Sequence, residues 1–373
     1  EKVDTAVVVN DSIRKRDSTE TGFGWGSLFN IDPYLEFNRV GAISLGLSKE
    51  IRYKSISLTP LYNYSFGQKK SFGEGELKIS ILNDWNRKLS LDGKIFSQIS
   101  TTGHEEPYYR IMNTFAAGLF HSDYYDYMRT DGFSAGVSSL WKGINFRAEY
   151  SEYRSFSLEK KTDKSLFDDS RWRENPAIDD GAFRSVSARI EMGNSMIFIT
   201  PSDFDYHFII SGKYTDPVRY ISGKPAERYR SANAQLTLNM PLLRTGYNPI
   251  SLRLSAAAGV QDSSVAVQDI FQMRSNLVFY ANNPALYSAP YSRFAGTKFW
   301  YGQAEINLSD IMWRAIGLPL YEGRGPELYL TGASGKFELD KNCAYRGTGN
   351  DYYSEIGFGF HRLPTFFSNV IYW

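Results

Sequence analysis

Along most of this chain apolar and polar side chains alternate with a period of two, and the charges gather in one phase. Ile56, Leu58, Pro60, Tyr62, Tyr64 and Phe66 face away from Ser57, Thr59, Leu61, Asn63 and Ser65. Leu89, Leu91, Gly93, Ile95 and Ile99 oppose Lys88, Ser90, Asp92, Lys94 and Gln98, and Ile144, Phe146, Ala148 and Tyr150 oppose Asn145, Arg147, Glu149 and Ser151. The same holds around Ala232 to Met240, Ile250 to Val260, Trp300 to Leu308 and Tyr352 to His361. Successive side chains of a strand point to opposite faces, so each segment reads as a strand with one apolar and one polar surface.

Such segments reach the about 9 to 11 residues that a tilted strand needs to cross a bilayer. A soluble sandwich also alternates, but strand length, aromatic content and the lack of a second, helical layer favour a membrane. Lipid tolerates only elements whose backbone groups are all satisfied, which for strands means a closed barrel. Aromatic residues make up 16% of the chain, yet the mean hydropathy is −0.38. A barrel with one lipid-facing surface reconciles the two values. The fold expected is all-β, a transmembrane antiparallel β-barrel of about 14 strands, or about 16 if weaker segments near Thr21 and Ser275 are included. Weaker strand signals also lie near 39–47, 133–141, 183–191, 206–214 and 327–335. The aromatic end, Phe366 to Trp373, is expected to pair with the first long strand, near 20–47, and close the barrel.

Residues 1–20 read as a polar tail or connection, and 21–373 as one barrel domain. Glu1-Lys2-Val3-Asp4 lacks the charged and apolar regions of a signal peptide, so a mature or trimmed chain is expected. One insertion breaks the alternation: from Pro107 to Tyr127 apolar residues recur at i, i+3 and i+4, predicting an amphipathic helix that either plugs the barrel or belongs to a long connection. A shorter helix is expected over Asp310 to Leu318.

Little here points to catalysis. No HExxH, P-loop or dinucleotide fingerprint occurs. His121-Ser122 is the one adjacent pair suited to a lipase, and neighbouring residues on a strand or helix do not face each other. Asp123, Asp126 and Asp131 have carboxylates for a hard cation but not an EF-hand's spacing, and a solvated acidic turn is expected. With 42 basic and 41 acidic residues the net charge is +1, which gives no general attraction to nucleic acid. The single Cys343 forms no intrachain disulfide. No cofactor, metal or enzymatic activity is expected. The inward phase carries Arg147, Glu149, Arg253, Glu305 and Glu355, opposite charges that must be solvated or paired inside the barrel. Arg184, Arg228 and Arg230 share the apolar phase and are expected near strand ends, beyond the lipid.

Phe37-Asn38-Arg39-Val40, followed by glycine-spaced alternation, resembles the opening of the barrel in the surface-antigen superfamily of the BamA and TamA type. The chain is most similar to the Bacteroidetes outer-membrane family of unknown function whose barrel usually follows a carboxypeptidase-regulatory-like domain. Asn113-Thr114, Asp123 to Tyr127 and Gly132-Phe133 resemble that family's mid-barrel signature, and Phe294 to Leu308 and Tyr353 to Gly359 its last strands. The translocating members carry an Arg-Gly-Phe or Arg-Gly-Tyr loop tip inside the lumen. Here the nearest stretch is Ser292-Arg293-Phe294-Ala295-Gly296, without the glycine after the arginine. The resemblance implies that Arg293 anchors its loop against the inner wall, beside the inward charges.

It also implies a Gram-negative outer-membrane protein for assembly, translocation or scaffolding, whose partners are outer-membrane lipid and periplasmic or outer-membrane proteins. The alternative is a passive channel for small solutes, since a barrel of this size can enclose water. Occupancy of the lumen by 107–127 or 264–296 decides between them.

Overall fold

The computed structural model describes residues 31–103, 110–167, 170–194, 204–221, 227–244, 249–272, 286, 294–309, 311–317, 326–340 and 351–361. In chain order the elements are β1 (Asp32–Asn38), β2 (Ala42–Ser48), β3 (Ile51–Tyr53), β4 (Ile56–Ser65), β5 (Lys70–Asp84), β6 (Arg87–Thr101) and α1 (Arg110–Phe120). There follow β7 (Tyr127–Trp141), β8 (Ile144–Ser157), β9 (Gly181–Gly193), β10 (Asp205–Tyr220), β11 (Tyr229–Arg244) and β12 (Pro249–Gln261). The last are β13 (Phe271–Gln272), β14 (Ala295–Gly296), β15 (Lys298–Asn307), α2 (Ile311–Ala315), β16 (Glu327–Glu338) and β17 (Asp351–His361).

All strands except the β13–β14 pair belong to one 15-stranded antiparallel sheet, in which each strand pairs with the next along the chain and β1 and β17 end the order. β2 and β3 are a single strand. Ser48 opposes Leu61 and Ile51 opposes Leu58 in one continuous register, and the Lys49 N–H bonds Pro60 O at 3.1 Å across the gap. Among the described residues the fifteen strands therefore make fourteen crossings, and β1 and β17 run antiparallel to each other. The closing partner expected in 366–373 lies outside the described residues, as do the tail 1–20 and the segments near Thr21 and Ser275.

The two faces differ as the alternation demands. Thr237 is 3% exposed and its neighbour Leu236 36%. Leu45, Leu58, Leu91, Phe146, Ile210, Ile306, Leu330 and Phe358 likewise turn outward, while Ser65, Thr215, Asn239, Ser251 and Glu305 are buried on the inner side. Arg184 and Arg228 turn outward near strand ends, where they pair with Glu152 at 3.0 Å and Asp216 at 3.1 Å.

One end of the wall has tight turns: Lys142 and Gly143, both at positive φ, join β7 to β8 as a two-residue hairpin of this hand requires. The other end carries the long connections 102–126, 158–180 and 262–297. These show that the sheet curls on itself. Arg39, at the end of β1, reaches Asp123 and Asn175 from connections after β6 and β8, and the 262–297 connection touches β10, β11, β15 and β16 together.

Two boundaries differ from expectation. The strand expected near 39–47 begins at Ala42, because Asn38 to Gly41 form a turn in which the Asn38 side chain accepts the Val40 and Gly41 N–H groups. The helix expected over 107–127 spans Arg110–Phe120; it stops where His121 takes φ 53, and 107–109 lie outside the described residues. Inside the barrel Gly335 is a point of close approach, where a Cβ would lie 2.6 Å from the Tyr301 Cβ and 2.9 Å from the Trp300 carbonyl. Gly335→Ala should cost about 1–3 kcal/mol, the usual penalty of overpacking. The temperature at which the folded band disappears in a heat-modifiable gel should fall. An unchanged transition would mean that β15 and β16 are looser here than described.

Candidate functional site

The lumen holds two kinds of structure: a charged wall toward the short-turn end and an inserted loop toward the other. On the wall, Arg147 Nη2 pairs with Asp92 at 3.1 Å and Glu149 at 2.7 Å. Lys94 pairs with Glu74 at 2.8 Å, and Glu191 takes Arg189 at 3.4 Å and His207 Nε2 at 2.8 Å. The strand register sets Arg253 directly opposite Glu305, and the Tyr353 hydroxyl donates to Glu355 at 3.2 Å. Of the expected lumen residues, Arg147 and Glu149 thus form one patch with Asp92. Arg253 and Glu305 face each other on β12 and β15, with β9, β10 and β11 between the two patches. Arg293 lies outside the described residues.

The loop is held by residues that periodicity does not reveal. A 3-10 turn at Val267–Asp269 brings Asp269 to the inner wall, where its carboxylate accepts from Lys213 Nζ at 2.6 Å and the Tyr229 hydroxyl at 2.7 Å. Gln261, the last residue of β12, donates to Asp269 O at 2.7 Å and accepts the Phe271 N–H at 3.1 Å. Asp179, from another connection, accepts the Val267 N–H at 3.0 Å. Apolar contacts complete the seat: Val265, Ala266 and Ile270 bury against Phe183, Tyr220 and Tyr229, and Phe294 stacks on Phe337. A polar pair, Gln268-Asp269, set between buried apolar residues in a long connection was the available sequence signal.

A second cluster ties the long-loop end together. Arg39 is fully buried; its guanidinium pairs with Asp123 at 3.3 Å and Asp126 at 2.8 Å, and Asp126 also takes Arg173 at 2.6 Å. Asn175 bridges the Tyr127 backbone and Leu158 O, and Asn113 of α1 donates to the Tyr127 hydroxyl at 2.9 Å. The acidic turn is therefore buried and neutralised by arginines, where a solvated turn was expected; burial of a carboxylate requires such pairing. Asp131 instead pairs outward with Arg129. Among the described residues no cluster of His, Cys, Asp and Glu has the makings of a metal site. In the exposed part of 158–180, hydrogen bonds from Lys160 hold the carboxyls of Asp163 and Glu174 below their usual range. That contribution is present above the ordinary carboxylate pKa and is lost as pH falls through the lowered values.

A strand meander of this kind is also what the comparisons return. The model of a family of unknown function (DUF5686), C-terminal domain, matches residues 5–214. The chain belongs to this family. BamA from Haemophilus ducreyi, lacking POTRA domains 1–3, has a similar structure: TM-score 0.50, 12% identity, 89% of this chain and 63% of that one. The fold of this family member is thus a transmembrane antiparallel β-barrel of the BamA kind. CdiB from Acinetobacter baumannii matches at TM-score 0.42 and 11% identity, over 86% of this chain and 50% of that one. Pseudomonas aeruginosa OccK2 (OpdF) matches at TM-score 0.29 and 13% identity, over 89% and 83%. The chain spans about half of the CdiB chain and under two thirds of the BamA chain. No curated protein matches significantly.

Proposed function

We propose that the protein is an outer-membrane barrel of Gram-negative bacteria that works as a scaffold or assembly component, with a lumen closed toward the long loops. The observation that carries this reading is the Asp269 anchor on Lys213 and Tyr229, which seats residues 265–270 against the inner wall. In barrels of this class the short turns are periplasmic and the longer loops extracellular. The charged wall around Arg147, Glu149, Arg253 and Glu305 then opens toward the periplasm, where it offers a polar surface to periplasmic proteins. The reading assigns no catalytic role: the His121 ring lies on Trp172 and the Ser122 hydroxyl donates to Phe120 O.

A passive channel needs a free path past this loop. The two readings separate in planar bilayers. The wild-type protein should conduct little, and Asp269→Ala, which removes the acceptor for Lys213 and Tyr229, should give larger and more frequent openings. Steady porin-like conductance in the wild type would overturn the scaffold reading. A variant indistinguishable from a quiet wild type would show that Asp269 does not hold the loop.

A further inference from the structure

Helix α1 is inverted for a helix in a water-soluble cap. It buries Asn113, Thr114 and Ala117, while Ile111 is 47% exposed, Phe115 52% and Phe120 70%. Its place in the barrel explains which groups turn inward. The helix lies on the edge of β1 that faces away from β2. There the Phe37 N–H, a strand-edge donor, bonds Thr114 Oγ1 at 3.2 Å, and Thr114 Oγ1 in turn donates to Arg110 O at 3.0 Å. Arg110 reaches Glu36, on the inner face of β1, at 4.0 Å. Gly118 rests on the ring of Phe37, on the outer face, where a Cβ would meet the ring at 3.7 Å. The helix therefore crosses the strand edge from the inner to the outer side and takes the place of a strand partner along Phe37.

What lies beyond its apolar face follows from the surface that it extends. Leu35, Ile43, Leu45 and Leu47 form the exposed outer wall of β1 and β2, next to the Phe37 ring on which Gly118 sits. On and beside strands β7 to β11 the outward positions near the long-loop end include charged pairs, Arg129 on Asp131, Arg184 on Glu152 and Arg228 on Asp216. Apolar surface thus continues from the lipid-facing wall onto α1 at this sector of the rim. An exposed apolar helix face is unfavourable in water but is the ordinary arrangement for a helix lying at a membrane boundary.

We propose that α1 is a membrane-contacting helix at the barrel edge, with Ile111, Phe115 and Phe120 in bilayer lipid beside β1. This goes beyond the scaffold reading, needing only that the barrel spans a membrane.

The test uses the full chain with Cys343→Ser, carrying one new cysteine for a nitroxide spin label, reconstituted in phosphatidylcholine vesicles. Phe115→Cys and Phe120→Cys probe the helix; both side chains are exposed, so folding should survive. Phe133→Cys on the outer wall is the lipid reference, and Asn145→Cys, exposed in the inward phase, is the aqueous one. Labels at 115 and 120 should be open to oxygen and shielded from a water-soluble nickel chelate, as at 133. Nickel access equal to that at 145 would overturn the proposal in favour of a helix in water. Shielding from both reagents would also overturn it, since another part of the chain would then cover the face. If the label at 133 itself met nickel, the failure would lie with the transmembrane reading instead.

Discussion

Arg39→Ala should destabilise the long-loop end by about 3–5 kcal/mol, the usual cost of leaving a buried ion pair without one partner. The guanidinium is the charge partner of Asp123 and shares Asp126 with Arg173, and all the carboxylates involved are buried. Its removal strands Asp123 in a site with hydrogen bonds from Asn113, Tyr127 and the Arg39 backbone but no cation of its own. The loss should show in two ways: a lower denaturant midpoint in detergent, and faster proteolysis of the 102–126 connection. Arg39→Lys should fall between the two proteins, because an ammonium keeps the charge but cannot fork to two carboxylates and Asn175 together. If Arg39→Ala unfolds at the wild-type midpoint and its connection resists protease equally, the cluster is not what fastens this end.

Leu91→Arg places a charge on the lipid face of β6, where Leu91 is 44% exposed. Near the bilayer midplane the substitution should cost about 2–4 kcal/mol, measured as reversible unfolding from vesicles. Lys94→Arg is the control on the same strand. Lys94 faces the lumen and pairs with Glu74, so the exchange keeps a cation where one is already accommodated and should cost under about 1 kcal/mol. Equal effects of the two substitutions would be incompatible with the inside and outside assigned to this wall.

The barrel was legible because lipid and lumen impose opposite demands on adjacent residues, and that contrast is written into every long strand. From β4 to β12 the alternation marks the same outward set that the structure shows: Leu58, Leu91, Phe146 and Leu236 all lie on the exposed face. It fails where a residue's role depends on distant partners. Arg39-Val40 fits the local alternation, yet Arg39 sits in the turn that the Asn38 side chain caps, and its carboxylate partners are the distant Asp123 and Asp126. The helix was legible from its apolar spacing, but spacing does not say whether an apolar stripe meets protein, water or lipid. Asp269 was missed because a connection has no periodicity to read. The inward charges were recognised as inward, but which of them meet depends on the order of strands, which pairs Arg147 with Asp92 across β7.

Both ends of the 262–297 connection leave from neighbouring strands, for Val260 on β12 and Lys298 on β15 are register partners. The insert is thus a swollen hairpin. Its arrival and departure break no strand pairing, and the entropic cost of closing so long a loop rises only as the logarithm of its length. Lineages can therefore lengthen, trim or replace this insert without re-threading the wall. The wall and its insert are free to evolve at different speeds.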